Sequence, residues 1–418
     1  MATSRSFDSM LNEFLPVELL REEFIKRDWL MSNANQDETW KGGQMIIPFE
    51  GQCASSVEFG SLAAAGDISE YDYVRGTIST QPEVWGSLVF NHRDLMEHDG
   101  KMPESTFLRI LPGQVDSFLS NMKQMVSVHL LSGPHFAKFT ADTNLAGGIV
   151  AVDRIDRFVL SQKVSIDDDD STSLDYYVIG INVDAKTVTL SATRGGAAVD
   201  LTAVAQPPTT AQNAKFYHPG AQTTGMTSLR SQLLSLANGG STNLFGVAKT
   251  SAPFLQCPNI DGSGITASNI LDEIFDAYTE RQILAKGGKA PKVVMSYANL
   301  GAILKLIEVQ KGAFNVIPNS RKSSHYGWTE IEVGSVSQHS LTLVGVQEMN
   351  DEEILMLDVD SLTFYSNGLF KRRKAPDGKE YFESRATSGY TYILDHCLFG
   401  DLVCTAPWKN LIIHSISF

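Results

Sequence analysis

An α+β fold follows from three features of the 418-residue sequence. Val115 to Leu130 repeats apolar residues at helical spacing. The stretches on either side of it alternate apolar and polar residues as strands do, and the C-terminal half mixes helices and strands before ending mostly in strands. Hydrophobic residues make up 43% and charged residues 20%, with 33 Gly and 15 Pro, which excludes collagen-like, low-complexity and wholly disordered chains. Lys and Arg total 34 against 48 Asp and Glu, a formal charge of -14, so nonspecific grip on nucleic acid through counterion release is disfavoured. No run of about 18 apolar residues could cross a membrane as a helix. MATSRSFDSMLNEF, broken by Arg5, Asp8 and Glu13, is not a secretory signal, so a soluble chain that is not exported is expected. Cys53, Cys257, Cys397 and Cys404 form no CxxC pair and read as free packing residues of a reducing compartment.

Pro16 suits the first turn of a helix running to about Met31, with Val17, Leu20, Phe24 and Trp29 on one face, a docking arm. MIIPFEGQCASSVEF and YVRGTISTQPEVWGSLVF then predict a long hairpin with a weak tip, too thin to hold a core of its own. After Pro112 and Gly113 the stripe Val115, Phe118, Leu119, Met122, Met125, Val126 and Leu130 predicts a helix that stops at Gly133-Pro134. Its methionines are ordinary core fillers, and His129 beside the stripe is a hydrogen-bonded core or rim residue rather than a ligand.

Residues 150–224 hold four strand-like segments, RFVLSQKVSI, DYYVIGINV, KTVTLSATR and AAVDLTAVA, separated by turn residues and flanked by glycines. They predict a small inserted β-barrel. Helices are expected over Thr227 to Ala237, Asn269 to Lys286 and Tyr297 to Gln310, with strands at KVVMS, IEVGSV, SLTLVGV, EILMLDV, LTFYSN, YFESRATSGYTYILDHCLF and DLVCTAP.

The search for chemistry returns little. Gly262 to Ala267 fits the spacing G-x-G-x-x-A, yet LQCPNID before it contains Pro258 and is not the buried strand that must aim such a loop at a pyrophosphate, so a capped helix start is the better reading. Gly287-Gly288-Lys289-Ala290 lacks the upstream glycine and the Ser/Thr of a phosphate loop. No nucleophile elbow and no pair of histidines at helical ligand spacing is present. Asp167 to Asp170 lack the spaced ligands of a calcium loop and read as a solvated turn. Glu348 to Asp360 is acidic, and Lys371-Arg372-Arg373-Lys374 is the one strong basic cluster. No enzyme, cofactor or metal is expected.

The order of elements (arm, hairpin, long helix, α/β lobe, late strands) resembles the major capsid protein of tailed bacteriophages, a fold shared with encapsulin shells and the herpesvirus capsid floor. EVWGSLVFNHRDL at 83–95 looks like the return strand of that family's E-loop, leading through SFLSNMKQMVSVHLL into the spine helix. KVVMSYANLGAILKLIE resembles the A-domain's strand and helix. LVGVQEMNDEEILMLDVDSLTFYS is similar to a turn-and-buried-strand passage of the family, with Gln347 where proline is common, and the final RATSGYTYILDHCLFGDLVCTAPWKNLIIHSI is similar to the closing strands. The resemblance implies an N-terminal arm (1–44), an E-loop hairpin (45–95), a P-domain with the spine helix (96–149), the inserted barrel (150–224), a P-domain continuation (225–255), an A-domain (256–360), closing P-domain strands (361–396) and a return to the A-domain (397–418).

It further implies a virion shell of hexamers and pentamers around double-stranded DNA, assembled in the host cytoplasm with scaffolding, portal and decoration proteins as partners, the place of the barrel in the shell being left open. Contacts between subunits are then expected at Glu70, Arg75, Glu83, Trp85, Lys371, Arg372, Arg373 and Lys374. Some members weld neighbours through an E-loop lysine, but no lysine occurs between Lys41 and Lys101. Arg75 carries a guanidinium and not a primary amine, so it cannot be the nucleophile of that weld, and a noncovalent shell is expected. Two alternatives stay open: an encapsulin-type cargo shell, and a nucleotide-binding enzyme using Gly262 to Ala267.

Overall fold

Short apolar runs, too short for helices and bounded by turns, build the largest sheet. In a computed structural model that describes residues 15–51, 74–79, 81–91, 104–167, 174–203, 208–212, 214–221, 225–284, 291–309, 315–318, 328–334, 340–386 and 389–417, the fold is α+β. The chain divides into two units, one of residues 1–123 with 229–418 and one of residues 124–228.

The first unit carries a seven-stranded mixed sheet in the order Asn259–Asp261, Leu411–His414, Ile354–Leu357, Lys292–Met295, Ser340–Val346, Trp328–Gly334, Asn315–Pro318. Its central strands, VVM, ILML and LIIH, are buried along their length, as strands covered on both faces must be. The helices Ile270–Leu284 and Tyr297–Val309 share one apolar core with them, through Ile274, Ala277, Leu300 and Ile303 against Val293, Met295, Met356 and Ile413. Lys249 is 2% exposed and its Nζ donates to the carbonyls of Ser231, Gln232 and Leu234, closing the C-terminal end of the short helix Leu229–Leu233.

Two expectations about the N-terminal half need correction. The segment expected as a docking arm packs inside its own unit as two helices, Val17–Arg27 and Trp29–Asn33, with Leu20, Phe24, Trp29, Leu30 and Met31 buried. The break falls at Asp28, whose carboxylate accepts from the Met31 amide and so caps the second helix. Arg27 pairs with Asp116 at 2.6 Å, and Lys292 donates to both Asn33 and Glu330 at 2.9 Å. The base of the hairpin also closes between Met45 and Ile78, before the strand expected to return it. Among the described residues Met45–Phe49 pairs with Val74–Ile78 alone, and Ile47, Phe49 and Ile78 join a core with Trp40, Leu244, Leu255, Tyr365 and Val403, so the chain's own later segments support its base. Its tip at 60–71 lies outside the described residues. The strand Glu83–Asn91 is not the hairpin's return strand: it pairs antiparallel with Gly389–Phe399. Local alternation identified the strand, but its partner lies about three hundred residues away, beyond any local pattern. The expected boundary between 396 and 397 likewise cuts through this continuous strand.

The long helix runs from Glu104 to Ser132 rather than from Val115. Pro112 was expected as a boundary, but an internal proline costs about 3 kcal/mol without forbidding a helix. The expected stripe holds, with Leu119, Met122, Val126 and Leu130 all buried.

The second unit is a closed six-stranded barrel in the order Lys215–Tyr217, His135–Asn144, Ile149–Val152, Thr187–Ser191, Leu174–Asn182, Lys163–Asp167 and back to the first. This corrects the expected four strands over 150–224. The barrel starts at His135, two of its strands precede Asp153, and the described residues of AAVDLTAVA form a 3-10 turn, Leu201–Ala203, and no strand. Phe136, Phe139, Phe158 and Phe216 fill the interior, with Phe216 stacked 4.9 Å from Phe139 and edge-on 5.0 Å from Phe158. Gly148 holds φ +65°, and a Cβ there would come within 2.6 Å of the Val199 carbonyl, so only glycine suits that turn.

Two outcomes follow. Residues 124–228 expressed alone are expected to unfold cooperatively by circular dichroism, whereas 150–224 should be unstructured, because it lacks the strand that pairs with both Lys215–Tyr217 and Ile149–Val152. A cooperative transition in the shorter fragment would refute this account of closure. Gly86→Val should lower stability by about 1–3 kcal/mol in denaturant titrations, since a Cβ at Gly86 would sit 2.7 Å from Phe118 of the long helix.

Candidate assembly surface

Along Glu83–Asn91 the side chains alternate sides. Leu88 and Phe90 are buried with Leu394 and Leu398, while Glu83, Trp85, Ser87 and Val89 are exposed. Trp85 remains 48% and Val89 51% exposed, a large apolar surface that folding of this unit leaves uncovered. Register with Gly389–Phe399 sets Glu83 opposite Phe399, and Lys371 of the strand Phe370–Arg372 opposite Cys397. Three expected contact residues thereby gather around one ring. Trp85 meets Phe399 edge-on at 6.3 Å, its Nε1 donates to Glu83 Oε2 at 3.0 Å, and Lys371 Nζ lies 5.2 Å from the Phe399 centroid. Further along the same sheet Ser87 Oγ donates to Asp395 at 2.6 Å. Arg373 sits 4.0 Å from Asp395 with its guanidinium 5.1 Å from the Phe382 ring, and Lys374 lies 3.9 Å from Glu380. The result is an aromatic patch rimmed by both signs of charge, the composition of a protein contact surface.

The remaining expected residues do not join it. Arg75 is exposed on the separate two-stranded hairpin, opposite Pro48. Glu70 lies outside the described residues. Arg372 requires correction as a contact residue. It is turned into its own unit, where Nη1 donates to Glu380 at 2.5 Å, Nη2 to the Leu15 carbonyl at 2.5 Å and Nε to His396 Nε2 at 3.3 Å. Within the strand Phe370–Arg372 the pleat sends Lys371 outward and Arg372 inward, and Arg373 and Lys374, beyond its end, are exposed. Sequence reasoning missed Val89, Phe382 and Phe399. Alternation within 83–91 could have supplied Val89, but the other two needed the long-range register.

Beneath the patch lies His396, fully buried, 5.5 Å from Phe118 and 5.9 Å from Phe370. Burial first, and the Arg372 charge second, push its pKa down to about 3, so it stays neutral. Burial pushes the thiols of Cys397 and Cys404 up to about 12 and that of Cys257 well above the ordinary thiol range, which leaves these three free cysteines protonated. Cys53 is outside the described residues.

The loop at Gly262 to Ala267 uses its own amides. Gly262 N donates to the His414 carbonyl, Ser263 N to Asp261, Ile265 N to the Gly262 carbonyl and Thr266 N to Asn269 Oδ1. Those donors are not turned toward a phosphate. Glu348 and Glu353, from the acidic stretch, are buried and paired with Lys123 and Arg230. Among the described residues no three His, Cys, Asp or Glu side chains form a metal-binding group, and no helix is long and apolar enough to cross a membrane.

No family model and no curated protein matches the chain. Among solved structures it is similar to the capsid of cyanophage A-1(L), with 11% identity and a TM-score of 0.45 over 100% of this chain and 98% of that one. It is also similar to the capsid of a native GTA particle, with 9% identity and a TM-score of 0.42 over 94% and 91%. A third is the SrpI encapsulin of Synechococcus elongatus PCC 7942, with 9% identity and a TM-score of 0.38 over 100% and 92%.

His396 has a pH signature. The folded chain keeps it neutral, whereas the unfolded chain protonates it below about 6.5, so its contribution is whole above that pH and fades as pH falls towards 3. Stability should fall by up to about 1.4 kcal/mol per pH unit in that window from this residue. His396→Gln should flatten the slope in denaturant midpoints taken from pH 7 to 4. An unchanged slope would show that His396 is not the group responsible.

Proposed function

We propose that this chain is a major capsid protein that self-assembles into hexamers and pentamers of an icosahedral shell around double-stranded DNA. The observation that carries the reading is the uncovered face of the four-stranded sheet, where Trp85, Val89 and Phe399 lie together with Glu83 and Lys371 at the rim. A surface of half-exposed aromatic and aliphatic side chains is stabilised when a neighbour covers it, and a shell subunit has neighbours on every side. The order of elements supports the same use: a hairpin rooted in its own unit by Ile47, Phe49 and Ile78, with Ile46 and Arg75 exposed, is available to reach another subunit.

The formal charge of -14 suits a container that must not bind its contents tightly. Scaffolding, portal and decoration proteins are the partners this reading brings, with assembly in the host cytoplasm. Arg75 and the outward bases Lys371, Arg373 and Lys374 then serve as noncovalent partners for a neighbour's carboxylates.

Negative-stain electron microscopy of the purified chain, alone and with co-expressed phage partners, should show rings or closed shells. In boiled SDS the particles should give one band at the monomer mass. A monomer by sedimentation under all assembly conditions would sink the reading, and a ladder resistant to reductant would sink its noncovalent part. Shells that hold an enzyme and no DNA would instead identify an encapsulin-type compartment.

A further inference from the structure

The strand Glu83–Asn91 is the outer strand of its sheet. Gly389–Phe399 pairs with it on one side, and no strand among the described residues pairs with the other. The amide of Gly400 donates to the carbonyl of Pro82, which fixes the phase of the ladder: even-numbered residues of this segment face Gly389–Phe399. Glu83, Trp85, Ser87, Val89 and Asn91 therefore turn their N–H and C=O groups to the open edge. Natural edges of this length are blunted by proline, lysine or a bulge. This one has neither residue within it, its register runs without a shift, and its one charge, Glu83, is at the end.

The sequence EVWGSLVFN is also complementary to itself about Ser87. Turned by a two-fold axis through that residue, Ser87 faces Ser87, Trp85 faces Val89 and Glu83 faces Asn91. All five edge-facing residues then pair with edge-facing residues, giving about ten backbone hydrogen bonds. No like charges meet, and each half-exposed Trp85 covers a half-exposed Val89, an aromatic and β-branched pair that favours strand association. Shifting the centre by one residue either way leaves edge residues of both strands without partners.

We propose that the open edge of Glu83–Asn91 binds the same strand of a second copy of this chain, antiparallel about Ser87, joining two four-stranded sheets into one. This deepens the shell reading, on which it rests, by naming one contact and its symmetry.

Cysteine scanning in a Cys53→Ser background tests it. Hydrogen-bonded antiparallel partners lie with Cα atoms ~5.5 Å apart, a span a disulfide can bridge, so Ser87→Cys should give disulfide-linked dimers on mild oxidation. Val89→Cys is the control. In this register the two Val89 positions lie ~14 Å apart along the strands, and at least tenfold less dimer is expected. Adding Val89→Pro to Ser87→Cys removes an edge-facing amide without losing a bond to Gly389–Phe399, and should abolish the cross-link while circular dichroism stays native. Equal cross-linking at 87 and 89, or none at 87, overturns the proposal. Electron microscopy of the same samples separates the two readings: shells without the Ser87→Cys dimer leave the capsid reading and remove the edge contact, and the dimer without shells does the reverse.

Discussion

Ser87 and Asp395 touch across 308 residues of chain, within a ladder that runs through nine consecutive pairs from Glu83–Phe399 to Asn91–Thr391. Much of the first unit hangs on that ladder. It sets the surface on which Phe118 of the long helix sits, because Gly86 leaves the ring room, and it buries His396 between Phe118 and Phe370. A second long-range link is the parallel pairing of Asn35–Asp37 with Leu362–Tyr365. A third is ionic: Lys123 meets Glu348 at 2.7 Å with both side chains nearly sealed from water, and burial pushes the Glu348 carboxyl up despite its partner. Such a pair adds little net stability over a well-packed apolar one, but losing either partner leaves a buried charge at about 3–5 kcal/mol. It fits one arrangement of helix and sheet.

The two units treat strand edges in opposite ways. The barrel closes, so every strand has two neighbours and nothing is left to template further pairing. Among the described residues the four-stranded sheet leaves a nine-residue strand with one neighbour, and two of the side chains exposed along it, Trp85 and Val89, are apolar. One unit thus leaves no strand edge open, whereas the other keeps one.

What the sequence made legible was whatever is encoded locally. The stripe from Leu119 to Leu130, the helices at 270–284 and 297–309, and buried strands such as KVVM and ILML are set by residue type and spacing within a dozen positions. The misreadings share a cause. Nothing near residue 83 says that its partner is residue 399, and local pattern alone joins the strand to the nearest hairpin. His135–Asn144 escapes a local reading because its irregular ladder, with two register shifts against Ile149–Val152, blurs the alternation. The candidate surface divides in the same way. Trp85 and Glu83 could be read from their own strand, Phe399 and Phe382 could not, and Arg372 was misjudged because a basic run was read by charge before it was read by pleat.

The insertion of residues 124–228 between the two parts of the first unit orders events during synthesis. All six barrel strands have been made by Tyr217, so this unit can fold while the rest of the chain is still being translated. The first unit cannot, since Glu83–Asn91 must wait for Gly389–Phe399. At roughly 5–20 residues per second that wait is on the order of fifteen to sixty seconds. For that interval an apolar strand on the ribosome has neither its intramolecular neighbour nor a finished sheet to stand in.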